Sequence, residues 1–314
     1  MAGRALLNVL GDVDIRLLRI FVTVCECNGI AASELELNIG KSTISKHISD
    51  LEQRIGLKLC NRGPSGFSVT SEGSSVLELT YELLERIDDF QSRVDDIHRT
   101  LTGTVRLGIF DQSSTNSNAC LHDAIRRFDG EAPDVGINVS LDTPAALESA
   151  ITDGTLDLAI VPLYRPSSAL RYSSLYKENM TLYCGSGHVL FEVDTESMVP
   201  KPDLTQYKYA GYSFNSPNLR AGNRLGLKRS AKVREEEALC LLVQSGCYVG
   251  FLADHVAETF ASEEKVWPIL PKESAYNVTF AAITRKKPEP DRKTQTFLKC
   301  LIDAHGAGSP GKAT

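Results

Sequence analysis

Apolar residues recur at steps of three and four through roughly the first hundred positions, then give way to β-branched runs separated by helical stretches. Ile15, Leu18, Phe21, Val22 and Cys25 predict an amphipathic helix that ends near Asn28-Gly29. A second, short helix is expected over Ala31 to Leu37, stopped by Asn38-Ile39-Gly40. A third starts near Ser42, with Ile44, Ile48, Leu51 and Ile55 as its buried stripe and Gly56 as its end. Two short helices joined by such a glycine-containing turn make a helix-turn-helix. After it, Leu57, Leu59 and Cys60 predict a strand, Phe67 to Thr70 its return, and Arg62-Gly63-Pro64-Ser65-Gly66 a tight tip. Together these form a two-stranded wing, so residues 12–70 make one mainly α-helical winged unit.

A single long helix is expected over residues 71–102, capped by Thr70 or Ser71 with Glu72 in its first turn. Val76, Leu83, Ile87, Phe90, Val94, Ile97 and Leu101 alternate steps of three and four along it, with Thr80 in the one vacant place. That seam is the signature of a coiled coil and needs a partner; a second copy of the same helix, over residues 72–101, gives a two-fold dimer. Leu101-Thr102-Gly103 then ends the helix and acts as a hinge.

From Thr104 the pattern is strand, helix, strand, helix, strand: "TVRLGIF" (104–110), a helix through Ala124 and Phe128, "VGINVSL" (135–141), a helix opened by Thr143-Pro144, and "LDLAIVPL" (156–163). This order implies a parallel sheet with right-handed crossovers. A second half carries "MTLYCG" (180–185), "YKYAGYS" (207–213), a helix over 235–246, and "CYVGFLA" (247–253). "YNVTFAAITR" (276–285) and a last helix with Phe297, Leu298 and Leu301 return to the first half. Residues 104–303 are therefore read as an α/β domain of two lobes, one of about 104–176 with 276–303 and the other about 177–275, followed by a flexible tail, 304–314.

Composition sharpens this picture. The 314 residues are 42% hydrophobic and 24% charged, as in ordinary globular proteins, and suit two or three folded units. No apolar run approaches the ~20 residues that cross a bilayer. The short apolar patch near the N-terminus meets Asp12 and Asp14 before it could serve as an export signal. A cytoplasmic protein with no membrane partner is expected. Net charge is −6, yet between residues 41 and 62 Lys41, Lys46, Arg54, Lys58 and Arg62 face only Asp50 and Glu52. With the apolar stripe turned inward, Lys41, Ser42, Thr43, Ser45, Lys46 and His47 crowd the exposed start of the third helix, the end that enters the major groove in helix-turn-helix proteins. Arg62, in the wing, is placed to meet a phosphate or the minor groove. Double-stranded DNA with dyad symmetry is the expected macromolecular partner.

Ligands of open α/β sheets bind outside the carboxyl ends of strands. Gln112, Ser113 and Ser114 follow the first strand, Thr143 and Pro144 open a helix whose free N–H groups suit an anion, and Ser213, Phe214 and Asn215 follow a strand of the second lobe. A small, anionic metabolite is the expected ligand. The eight cysteines form no C-x-x-C pair, and the six histidines show no H-E-x-x-H, so neither metal nor other cofactor, nor a catalytic residue, is expected. A thiol switch using Cys240 and Cys247 stands as the alternative, and a solute-binding protein as a weaker one that leaves residues 15–101 without a use.

The order of these parts resembles the LysR-type transcriptional regulators over nearly the full length. The stretches that carry the likeness are "LLRIFVTVCECNGIAASELELNIGKSTISKHISDLEQRIGLKLCNRG", "GFSVTSEG", "GTVRLGI", "GTLDLAIVP" and "SGCYVGFLADHVAE". The resemblance implies an N-terminal winged helix-turn-helix, a dimerising linker helix and a two-lobed effector domain like periplasmic binding proteins. It also implies base and phosphate contacts at Lys41, Ser42, Thr43, Ser45, Lys46, His47 and Arg62, assembly to tetramers, and RNA polymerase as a further partner. Lys41-Ser42 replaces the Gln-Pro frequent in that family, and Val189 and Ala253 stand where proline is usual.

Overall fold

The computed structural model describes residues 10–63, 66–98, 101–110, 113–261 and 265–306. Contacts group the chain into two compact units that divide between Val94 and Asp95. The first contains α1 (Asp12–Glu26), α2 (Ser33–Leu37), α3 (Lys41–Ile55), β1 (Cys60–Gly63), β2 (Gly66–Val69) and most of α4 (Ser71–His98). Phe21, Val24, Ile44, Ile48, Leu51 and Leu59 are fully buried in one core. Each such side chain contributes about 1.5–3 kcal/mol. The buried face of α1 centres on Leu17, Leu18, Phe21 and Val24, with Ile15 and Cys25 at its margin. α2 stops where Asn38 turns left-handed, a conformation that asparagine tolerates, and α3 stops at the left-handed Gly56.

The wing begins later than the apolar pattern predicts. The N–H groups of Leu59 and Cys60 both donate to Glu52 Oε1 on α3, at 2.9 and 3.2 Å. Leu57 and Leu59 thus lie outside the ladder, which pairs Cys60 with Val69 and Arg62 with Phe67. Thr70 caps α4: its Oγ1 accepts from Gly73 N–H at 2.9 Å and donates back to Lys58 O at 2.7 Å. The start of the seam is used within the unit itself, since Val76, Leu77 and Leu83 pack on the core and Thr80 is buried, bonded to Val76 O. Leu79 and Phe90 remain exposed on α4.

The second unit holds β3 (Gly103–Ile109), α5 (Leu121–Glu131), β4 (Val135–Leu141), α6 (Pro144–Asp153), β5 (Leu158–Pro162), β6 (Leu170–Gly185), β7 (Tyr209–Tyr212), α7 (Pro217–Arg224), β8 (Arg229–Val233), α8 (Glu236–Gln244), β9 (Val249–Ala253), α9 (Asp254–Ala261), β10 (Val266–Pro268), α10 (Pro271–Ser274), β11 (Tyr276–Arg285) and α11 (Arg292–Gly306). Its strands hydrogen-bond in the order β4-β3-β5-β11-β6-β9-β7-β8, with β10 beside β6. β3 is parallel to β4 and β5, and β7 is parallel to β8 and β9, as the alternating pattern requires. β6 and β11 run antiparallel between these two groups, paired along Leu170–Met180 and Tyr276–Arg285. β6 is one strand across the expected lobe boundary near residue 176, and residues 304–306 belong to α11 rather than to a tail. Residues 307–314 lie outside the described set. Among the described residues, no helix is long and apolar enough to cross a membrane.

Candidate functional site

The helix-turn-helix presents α3 by its first turn. Ile44, Ile48 and Leu51 point into the core, which leaves Lys41, Ser42, Thr43 and Lys46 exposed and Ser45 and His47 half-buried. Gly40 occupies the cap position without a side chain, and Glu34 of α2 accepts the Lys41 N–H in its place. That bond ties α2 to the start of α3. The remaining N–H dipoles of the first turn, together with Lys41 and Lys46, favour a phosphate.

Arg62 turns toward α3 rather than away from the wing. Its Nη1 donates to Ser45 O at 3.0 Å and to Ser45 Oγ and Ser49 Oγ at 3.3 Å, and its Nη2 pairs with Glu52. Glu52 thereby holds both the wing's first residues and its arginine. A second pair sits behind α3, where Arg54 Nε and Nη2 grip the buried Asp14 of α1, which also accepts from Gly11 N–H at 3.0 Å. The Arg54 hydrogen bond, helped by the Gly11 N–H, outweighs burial and lowers the Asp14 pKa below the free value of 3.8. Because the folded value is depressed, its stabilisation is complete above pH 3.8 and is lost as pH falls through the folded value. Asp14→Asn protein should melt at lower temperature than wild type at neutral pH, and the gap should close below pH 3.8. Thermal denaturation against pH checks this.

In the second unit a cleft of about 930 Å³ opens at the carboxyl ends of β3, β4 and β8. Ser113, Ser114 and Thr143 line it, as the strand-end rule predicts. Phe214 lines a narrow recess of about 30 Å³, and the larger cleft and the recess have Phe110 and Glu236 in common. Pro144 is buried at the first position of α6, and Ser213 and Asn215 are exposed; none of the three lines the cleft or the recess. Gln112 lies outside the described residues. Sequence reasoning missed Arg234, Glu235, Glu236 and Glu237, which follow β8, and Ser216, which follows the Ser213–Asn215 loop. The signal was present, because these residues also stand just beyond a strand. β8, "RSAKV", was illegible as one: its basic residues and half-exposed alternation mark an edge strand.

At the expected anion site, Asp142 Oδ1 accepts the N–H of Thr143, the cap residue of α6, at 2.6 Å. As for the thiols, burial pushes Cys25 and Cys184 up to about 12 and raises Cys60 and Cys300 as well. Those four are held as unreactive thiols. Cys240 is buried on α8, and the exposed Cys247 precedes β9 instead of lying on it.

Comparison with known proteins identifies both units. Residues 15–74 match the bacterial regulatory helix-turn-helix protein model of the lysR family, and residues 98–306 match the LysR substrate binding domain. The chain belongs to the LysR family. This LysR-family chain is 34% identical to the HTH-type transcriptional activator BauR of Pseudomonas aeruginosa, over 94% of its own length and 96% of that protein's. It is 22% identical to the HTH-type transcriptional regulator CitR of Bacillus subtilis, over 93% and 100% of the two chains. Full-length CbnR, solved in complex with its target DNA, shares the fold with a TM-score of 0.64 at 16% identity, covering 92% of this chain and 99% of CbnR. The LysR-family protein described here is thus a DNA-binding transcriptional regulator with an effector-binding domain, not an enzyme.

Proposed function

We propose that this regulator reads a specific, dyad-symmetric operator with the exposed start of α3 and responds to a small metabolite in the cleft of its second unit. The observation that carries the first part is the exposure of Lys41, Ser42, Thr43 and Lys46 on one helix end whose opposite face is wholly buried. Ser42 and Thr43 have the hydroxyls to discriminate bases; Lys41 and Lys46 supply phosphate contacts. Ser45 and Arg62 engage each other, so their role is to brace the wing against α3. A second copy paired through α4 supplies the other half-site, and the exposed Leu79 and Phe90 are apolar surface suited to that pairing. CbnR, a protein of the same chain fold, was solved bound to its target DNA, which supports the DNA-reading part of this proposal. The strand-end cleft supports the second part, and a coupling of about 1–3 kcal/mol between the two sites suffices for regulation.

Selection from random duplexes would define the preferred site, and gel-shift titrations would measure preference. Ser42→Ala or Thr43→Ala should lower the ratio of specific to random binding by about tenfold. Arg62→Ala should instead weaken binding to both duplexes alike, since it loosens the wing. Unchanged affinity and preference in all three variants would overturn the reading.

A further inference from the structure

The recess beside the cleft is built from groups of unusual combination. Glu178 and Glu236, both nearly buried, line it together with Phe110, Tyr212, Phe214 and Ser216. Glu178 is fixed in place, its Oε1 accepting from Asn116 Nδ2 at 2.8 Å and lying 3.2 Å from His255 Nε2. Glu236 accepts from Ala253 N–H at 3.5 Å. The three rings form one cluster, with Tyr212 stacked on Phe214 at 5.0 Å and Phe110 edge-on to both at 6.1 and 6.2 Å.

Ser216 supplies an independent observation. It stands at the cap position of α7 but makes no capping bond, and its Oγ is buried without any hydrogen-bond partner. Its residue is 3% exposed. A buried hydroxyl left unsatisfied in a recess marks a place for a ligand's polar atom. The sign of that atom's charge follows from the walls. Among the described residues that line the cleft and the recess, Asp142, Glu178, Glu235, Glu236 and Glu237 stand against Arg234, with no other lysine or arginine. Arg165 and Arg220 act electrostatically on Tyr164 without lining the recess. The α7 N-terminus contributes a positive charge of about one half near Ser216, which two carboxylates outweigh.

We infer that the ligand carries a protonated amine, seated in the recess between Glu178 and Glu236 with Ser216 Oγ as a further acceptor. This rests on the cleft being the effector site. An ammonium has three N–H donors and no acceptor, which matches two carboxylates and a hydroxyl, and aromatic faces attract a cation. A recess of about 30 Å³ takes such a head group alone, while the cleft of about 930 Å³ takes the rest of the molecule. An anionic effector would meet the same walls as repulsion.

Three four-carbon probes separate the alternatives: putrescine with two amines, γ-aminobutyrate with one amine and one carboxylate, and succinate with two carboxylates. Thermal shift and calorimetry on the full-length protein, at up to about 10 mM probe, should show stabilisation by one or both amines and none by succinate. Glu236→Gln should weaken amine binding by about tenfold or more, and Ser216→Ala, which removes only an unpartnered hydroxyl, by several-fold. Stabilisation by succinate alone, weakened by Ser216→Ala, would overturn the amine while leaving the cleft as the effector site. Amine binding that neither substitution alters would overturn both. Absence of any shift with either amine also overturns the inference.

Discussion

Gly73→Ala should destabilise the DNA-binding unit by about 3 kcal/mol or more and abolish operator binding, although residue 73 touches no DNA-facing side chain. A Cβ on Gly73 would sit 2.0 Å from Leu59 O, 2.8 Å from Leu59 C and 2.9 Å from Val69 Cγ1. Two of those atoms are backbone and cannot swing aside. Leu59 is fully buried, its N–H is bound to Glu52, and its carbonyl accepts from Thr70 N–H at 2.9 Å. The close approach is therefore clamped on both sides, and relief requires α4 to lift off the wing. Domains have ~5–15 kcal/mol of stability in all, so such a loss removes a large part of it. Circular dichroism melts should show a lower transition, and gel shifts at the melting-safe temperature should show weak binding. A stable Gly73→Ala protein with normal affinity would mean that the clamp is looser than its distances.

Phe297→Ala should be the most damaging single truncation in the regulatory unit, costing about 3–5 kcal/mol. Phe297 of α11 and Phe128 of α5 are both fully buried and meet edge to face, centroids 5.0 Å apart at 86°. α11 closes the chain over α5, so the pair fastens the last helix to the first half of the sheet. Phe128→Ala should cost a similar amount. The double variant should lose less than the two together by about 0.5–1.5 kcal/mol, the part that belongs to the ring contact itself. Melting curves of the four proteins complete the cycle, and strict additivity would argue against a direct contribution from the contact.

How far the fold could be read in advance depended on how strongly each element's pattern was imposed by burial. α3 was legible almost to the residue, because Ile44, Ile48 and Leu51 are fully buried on one side and Gly40 and Gly56 bound it. β3 and β5 were legible for the same reason, whereas β4, largely exposed after Val135, was legible from its alternating β-branched and apolar residues. β8, α9, β10 and the first half of β6 were not. They are short or edge elements, or, as with Leu170–Tyr176, mostly half-buried and polar residues without a period of two, held as a strand by the antiparallel partner β11. The candidate site followed this division. Ser113, Ser114 and Thr143 sit at the ends of strands that could be seen, whereas Arg234 to Glu237 sit after one that could not. Sequence spacing places Arg62 at the wing but says nothing of which way a long side chain turns, and the Glu52 carboxylate decided that. The sign of the cleft's charge was hidden for a related reason: Glu178 lies on β6, far in sequence from Glu236.

The paired strands β6 and β11 also carry a mechanical consequence. Their register steps by one residue where Tyr176 faces Phe280 but Ser174 faces Ala281, leaving Leu175 as an extra link. A bulge of this kind bends its strand and increases the local right-handed twist. The bend falls beside Phe280 and just before Glu178, so the geometry of one rung sets how both residues are presented to the recess that they line.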